Sequence, residues 1–343
     1  MMKRHTRILM AIVACFAASF IGTLTAQARP TGYKHYELGD LRAPTPDPVS
    51  GGLLLMGGGD RNIDAMKWFF AKAGHGHIVI LSAAYGPEIG KEFKREVGGI
   101  LSAETFVFKT RNAAYDPKVI DALKRADGIF ISGGDQSDYV KMWRGTPVAE
   151  IMDAHVLAGK PLAGTSAGLA MLGEWLYGCM DSTSLTSPEG LADPFSARNT
   201  IEGDFLHLAL LKGVLTDSHF KERDRLGRLF AFLAKAQLGR PADATPLLGL
   251  GVDESAALAV EPDGSARIYA TEADGGAWLV DGASLRVANK SGPLEVPRIH
   301  VIGIGHQSIL HLPDGKVERP SFDRYYSVSG GKMVLSSDEA VAP

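Results

Sequence analysis

The chain has 343 residues, 45% of them hydrophobic and 22% charged, with a formal net charge of −3. That near-neutral balance, without a long basic run, argues against nucleic acid as a partner, and the length suffices for one large hydrophobic core. There are two cysteines, Cys15 and Cys179, too few for a disulfide-stapled scaffold.

Lys3, Arg4 and Arg7 precede an apolar stretch from Ile8 to about Leu24, followed by the small residues Ala26-Gln27-Ala28. This order predicts a secretory signal peptide over residues 1–28 and a secreted or periplasmic mature protein beginning at Arg29. Ile12-Val13-Ala14-Cys15 loosely fits a lipoprotein box, but Phe16 to Leu24 stays apolar where a lipoprotein turns polar. After cleavage no stretch is long enough to span a membrane. Cys179 then stands without an intramolecular partner.

Arg29 to Ser50 carries Pro30, Pro44, Pro46 and Pro48 and reads as a lead-in linker. A single domain follows over 51–343. Leu53 to Met56 is a short buried strand, and Asn62 to Ala73 reads helical. His77 to Leu81 is a strand, Glu88 to Val97 a helix and Thr105 to Phe108 a strand. Asp116 to Arg125 is a helix, Gly128 to Ser132 a strand and Thr146 to Ala158 a helix. Pro161 to Gly164 is a strand and Ala167 to Tyr177 a helix. Continuous apolar strands between helices predict an α/β fold, a mostly parallel sheet with helices on both faces. Ligands then sit beyond the carboxyl ends of the strands. After about Leu248 short strands and turns predict an antiparallel C-terminal part over about 256–343.

Gly164-Thr165-Ser166-Ala167-Gly168 follows a strand and opens a helix. That context forces Ser166 into a sharp turn and makes its hydroxyl a candidate nucleophile. The Ala167 N–H at the helix start can stabilise an oxyanion. A second strand ends in Ser132-Gly133-Gly134-Asp135-Gln136, where Gly134 N–H is the second candidate donor and Asp135 a helix N-cap. His219 is the best candidate base. It is predicted at the start of a helix running to about Ala236, seven residues before Leu226, hence on the stripe Leu226, Leu229, Phe230, Leu233. A satisfied core histidine fits the same placement. Glu254, between two predicted strands, is the candidate acid, although Asp253 and Glu254 also fit a decorated turn. Among the basic residues after His219, spacing supports Arg223 near the site, leaves Arg225 on a flank and turns Arg228 away. There is no H-E-x-x-H, and His75-Gly76-His77 lacks a third ligand, so neither metal nor cofactor is expected.

Together these motifs resemble the cyanophycinases, within the aspartyl dipeptidase E group of serine peptidases. The resemblance runs from about Gly51 to Val280. Its landmarks are Gly57-Gly58-Gly59-Asp60, Gly133-Gly134-Asp135-Gln136, the Ser166 elbow, His219-Phe220 with Arg223, Arg225 and Arg228, and Asp253-Glu254. It implies a class I glutamine amidotransferase-like fold and a triad of Ser166, His219 and Glu254. It implies hydrolysis of multi-L-arginyl-poly-L-aspartate to β-aspartyl-arginine, with Gln136, Asp217, Arg223, Arg225 and Arg228 holding substrate, and suggests a homodimer. Cyanophycinases commonly carry glutamine before the histidine, where this chain has Ser218. A dipeptidase of the same fold acting on other aspartyl peptides is the runner-up, and a secreted binding protein that lost catalysis is the third reading. An α/β-hydrolase is disfavoured, because here the histidine precedes the acid.

Overall fold

The structure is a computed structural model that describes residues 31–181, 183–287 and 291–336. The segment predicted as a signal peptide lies outside the described residues.

The first strand corrects the linker reading: Tyr33–Gly39 (β1) lies antiparallel along the edge of a sheet. Then come β2 (Gly52–Met56), α1 (Ile63–Lys72), β3 (His77–Ser82), α2 (Glu88–Glu92), β4 (Ser102–Phe108), α3 (Pro117–Arg125) and β5 (Gly128–Ile131). Helices α4 (Gln136–Trp143) and α5 (Pro147–Leu157) lead to β6 (Pro161–Thr165) and the single turn α6 (Ala167–Ala170). A small ribbon, β7 (Leu176–Tyr177) with β8 (Ile201–Glu202), brackets α7 (Ser187–Ala192). Next are β9 (Val214–Asp217), α8 (Leu226–Ala236), β10 (Leu248–Val252), β11 (Ala256–Val260), β12 (Ser265–Ala270) and β13 (Ala277–Asp281). The chain continues with β14 (Val296–Ile304), β15 (Ile309–His311), β16 (Lys316–Glu318), β17 (Phe322–Ser329) and β18 (Lys332–Leu335).

The α/β expectation holds. In the larger sheet, ordered β1-β4-β3-β5-β6-β2-β11-β12-β15-β16, the strands from β4 to β2 are parallel neighbours. Their apolar runs are buried on both faces: Leu53, Leu54, Leu55, Ile78, Ile80, Ile129, Phe130 and Leu162 have no exposed surface. Helices belong on both sides of such a sheet. Two separate apolar clusters form, one with Leu55, Leu81 and Ile131, the other with Leu54, Ile80 and Phe130.

The later strands do not form one antiparallel extension. Strands β11, β12, β15 and β16 continue the large sheet, while β18-β17-β14-β13-β10-β9 build a second one. In that second sheet β9 and β10 are parallel, with Asp217 opposite Gly251. Their carboxyl ends are therefore adjacent, so the loops leaving β9 and β10 start side by side.

Two helix expectations also change. Only Ala167–Ala170 is helical after the elbow, because Gly173 packs against β9: a Cβ there would lie 2.7 Å from Val214 O. And α8 begins at Leu226, so His219 precedes it by a turn-rich segment instead of sharing its apolar stripe.

Candidate active site

Three chain reversals build the site. The first is the elbow: β6 ends at Thr165, and Ser166 adopts φ 54°, ψ −117° before α6. A non-glycine residue held there is strained, and such strain persists only where neighbours enforce it. Here Ser166 N–H donates to Met56 O at 3.0 Å. Gly168 explains the tight packing behind the turn, since a Cβ would sit 2.4 Å from Ile131 O. Ala167 is buried, and as the first residue of α6 its N–H has no carbonyl one turn back.

The second reversal follows β9. His219 is at φ 47°, and its N–H donates to Gly57 O at 2.7 Å. Phe220 has only 1% of its surface exposed and packs at 5.8 Å from the Trp278 ring, which anchors the loop. The third reversal joins β10 to β11 and carries Asp253 and Glu254.

These reversals align Ser166, His219 and Glu254. Ser166 Oγ lies 2.6 Å from His219 Nε2, and His219 Nδ1 lies 2.5 Å from Glu254 Oε1. With Nδ1–H donating to the carboxylate, Nε2 is the acceptor for the serine proton. Burial lowers the His219 pKa and the Glu254 hydrogen bond raises it; Arg223 and Arg225 lower it further, so the net shift is downward. A lowered pKa favours the neutral imidazole, the form that can accept a proton.

Two residues named in the sequence only as members of motifs hold this arrangement. Gly58, at φ 106°, lies close against the imidazole: a Cβ there would be 2.3 Å from His219 Cε1 and 2.6 Å from Nε2. Asp253 is buried and accepts from Lys221 N–H (3.1 Å), Gly276 N–H (3.0 Å) and Trp278 Nε1–H (3.1 Å), tying the histidine loop to the acid loop. Burial, with help from Glu222, pushes its pKa up to about 6 against those three donors. The Gly-Gly-Gly-Asp run and the Asp253-Glu254 pair were visible as motifs; their packing role depends on partners far along the chain.

The cleft, of about 400 Å³, is lined by Gly58, Gly59, Arg61, Tyr85, Gly133, Gly134, Thr165, Ser166, His219 and Arg223. Gly134 thus faces the same space as the serine, and Asp135 caps α4 as expected by accepting from Ser137 N–H at 2.8 Å. Of the five residues the resemblance assigned to substrate, only Arg223 lines this space, 3.6 Å from Glu254 through its Nε. Gln136 is half-buried and donates to Tyr177 O at 3.4 Å. Arg225 donates to Ser218 O at 2.6 Å, and burial pulls its pKa down to about 10.

Asp217 and Arg228 require a fuller correction. Both side chains are 3% exposed and turned to each other, Arg228 Nε to Asp217 Oδ2 at 2.7 Å and Nη2 to Oδ1 at 2.5 Å. Arg228 Nη1 donates to Ser184 Oγ and Leu185 O at 2.9 and 3.2 Å, and its guanidinium lies 5.4 Å from the Phe232 ring. Burial pushes the Asp217 pKa up, but Arg228 and Arg225 outweigh it and hold the carboxylate ionised. Arg228 therefore points neither to solvent, as spacing suggested, nor into the cleft.

One further cluster, His35, Glu37 and Glu104, brings potential metal-ligand atoms within 4.8 Å of one another. Lys118 and Arg125 already pair with its two carboxylates, and none of the three residues lines the cleft. Among the described residues no helix is long and apolar enough to cross a membrane.

The model of Peptidase family S51 matches residues 93–268, a span that includes Ser166, His219 and Glu254. The chain belongs to peptidase family S51. It is a serine peptidase. Cyanophycinases of Trichormus variabilis and of a Nostoc species are each 29% identical to it over 288 residues, covering 79% of this chain and 89% of theirs. A cyanophycinase of Synechococcus elongatus is 29% identical over 216 residues, 60% of each chain. Among solved structures, a peptidase from an acI-B1 Actinobacterium aligns at 15% identity with a TM-score of 0.48, covering 80% of this chain and 96% of its own.

Proposed function

We propose that Ser166 is the nucleophile, His219 the general base and Glu254 its orienting acid in a peptidase that cleaves cyanophycin to β-aspartyl-arginine. The observation that carries the reading is the hydrogen-bonded chain Ser166–His219–Glu254 at the edge of a cleft. His219 Nε2 takes the Ser166 proton as Oγ attacks the scissile carbonyl carbon. Gly134 N–H and Ala167 N–H receive the oxyanion. The C–N bond breaks, His219 returns the proton to the leaving amine, and water attacks the acyl-enzyme by the same route to free Ser166. Labelling by a fluorophosphonate tests the assignment: label on Ser166, abolished by Ser166→Ala and strongly reduced by His219→Ala, is expected. Equal labelling of the Ser166→Ala protein would remove that residue from the reaction.

The substrate rests on the relatives' cyanophycinase activity and on the motif resemblance. One observation favours the runner-up, a peptidase of smaller aspartyl peptides: Asp217, Ser218 and Arg228 are all buried away from the cleft. We also propose export, with the mature protein starting at Arg29. Amino-terminal sequencing of protein from the native host returning Met1 or a modified Cys15 would contradict it.

A further inference from the structure

The cleft has a cationic wall that this mechanism leaves unused. Of its ten lining residues two are arginines, Arg61 and Arg223, and none is acidic. The two come from different parts of the fold, Arg61 from the loop between β2 and α1, Arg223 from the segment between β9 and α8.

Arg61 is the more constrained. Its side chain is 17% exposed, and its guanidinium lies 5.5 Å from the Phe130 ring centroid and 5.8 Å from that of Phe93. Nη1 donates to both carboxylate oxygens of Glu92, and Nε is buried without a hydrogen-bond partner. Glu92 thus engages one nitrogen only. A guanidinium held in one orientation by Glu92 and the two rings loses little entropy when an anion arrives in the cleft it lines. Arg223, by contrast, is 53% exposed.

We propose that Arg61 is a specificity residue, the centre of a pre-oriented subsite for a substrate carboxylate beside the scissile bond, so that the enzyme selects peptides carrying a free carboxylate there. The position beside a scissile bond rests on Ser166 being the nucleophile; the anion subsite itself does not. The competing role is structural, with Arg61 merely tying its loop to Glu92.

The test is calorimetric binding to the Ser166→Ala protein, which uncouples the subsite from turnover. The probes are β-aspartyl-arginine and the same dipeptide with its carboxylates amidated. The free acid should bind roughly ten- to a hundredfold tighter, the range for a charge-assisted contact. Adding Arg61→Met should erase at least tenfold of that preference, and Arg61→Lys should restore part of it. Adding Glu92→Gln, which breaks the structural pair but keeps the guanidinium, should leave the preference in place. Equal weakening of both probes by Arg61→Met, a loss with Glu92→Gln as large as with Arg61→Met, or no binding of the free acid would each overturn the proposal. Failure of the full-length enzyme to digest the polymer would instead count against the proposed substrate.

Discussion

Replacing Arg228 by alanine tests how the family's arginines work in this chain. Asp217 and Arg228 are both 3% exposed and share two hydrogen bonds, of 2.5 and 2.7 Å. Removing the guanidinium would leave a buried carboxylate with the Ser218 N–H at 2.8 Å and Arg225 at 3.6 Å. Breaking one side of a buried ion pair typically costs about 3–5 kcal/mol, mostly because the remaining charge is stranded. For a domain of this size that lowers Tm by on the order of 10 °C. Asp217 stands two residues before His219, so turnover should fall as well, secondary to the loosened loop. The assay is urea denaturation of wild type, Arg228→Ala and the double variant Asp217→Leu/Arg228→Met. The double variant should recover much of the lost stability, because no charge is left stranded. An Arg228→Ala protein with wild-type stability but greatly weakened hydrolysis would refute this reasoning and return Arg228 to the substrate.

Two further expectations rest on the same geometry. Gly58→Ala would place a methyl within 2.6 Å of two imidazole atoms at a backbone φ of 106°, so kcat should fall at least a hundredfold, on the order of 3 kcal/mol, while the fold persists; undiminished turnover would show that the ring does not rest on this backbone. His155 is buried and its pKa is lowered to about 4, chiefly by desolvation. Below the ordinary pKa of about 6.5 the unfolded chain takes up a proton that the folded one does not, so the His155 contribution is intact above that pH and is lost toward pH 4. The loss is about 1.4 kcal/mol per pH unit, about 3 kcal/mol in all. Asp253, raised to about 6 from 3.8, acts in the opposite sense over part of that range. The measurement is therefore the difference in unfolding free energy between wild type and His155→Leu across pH 4–7, and a flat difference would contradict it.

The parallel core and the Ser166 elbow were legible because each is local, whereas His219 and Glu254 were singled out by the resemblance, their own residue patterns fitting a core histidine and a decorated turn equally well. Leu53 to Met56 is apolar at every position, and the Ser166 elbow is a contiguous five-residue motif. The features that escaped are non-local. Tyr33–Gly39 mixes Lys34, His35 and Glu37 with Tyr33, Tyr36 and Leu38, as suits a half-buried edge strand, and beside four prolines that texture reads as linker. His219 is in phase with the stripe of α8, yet positive φ at His219 and Asp224 turns the chain before the helix begins. Arg228 lies off that stripe, but α7 covers the other side: its Gly190 would put a Cβ 3.5 Å from Arg228 Cα. A helical wheel sees one neighbour, whereas α8 is buried along nearly its whole length.

The central claim is that Ser166, activated by His219 and Glu254, cleaves an arginylated polyaspartate. Incubation of the mature protein with insoluble cyanophycin, with products identified by mass spectrometry, tests it most directly. The account predicts β-aspartyl-arginine as the released product, abolished by Ser166→Ala. Intact polymer after incubation with enzyme that still labels at Ser166, or release of β-aspartyl-arginine by the Ser166→Ala protein, would contradict it.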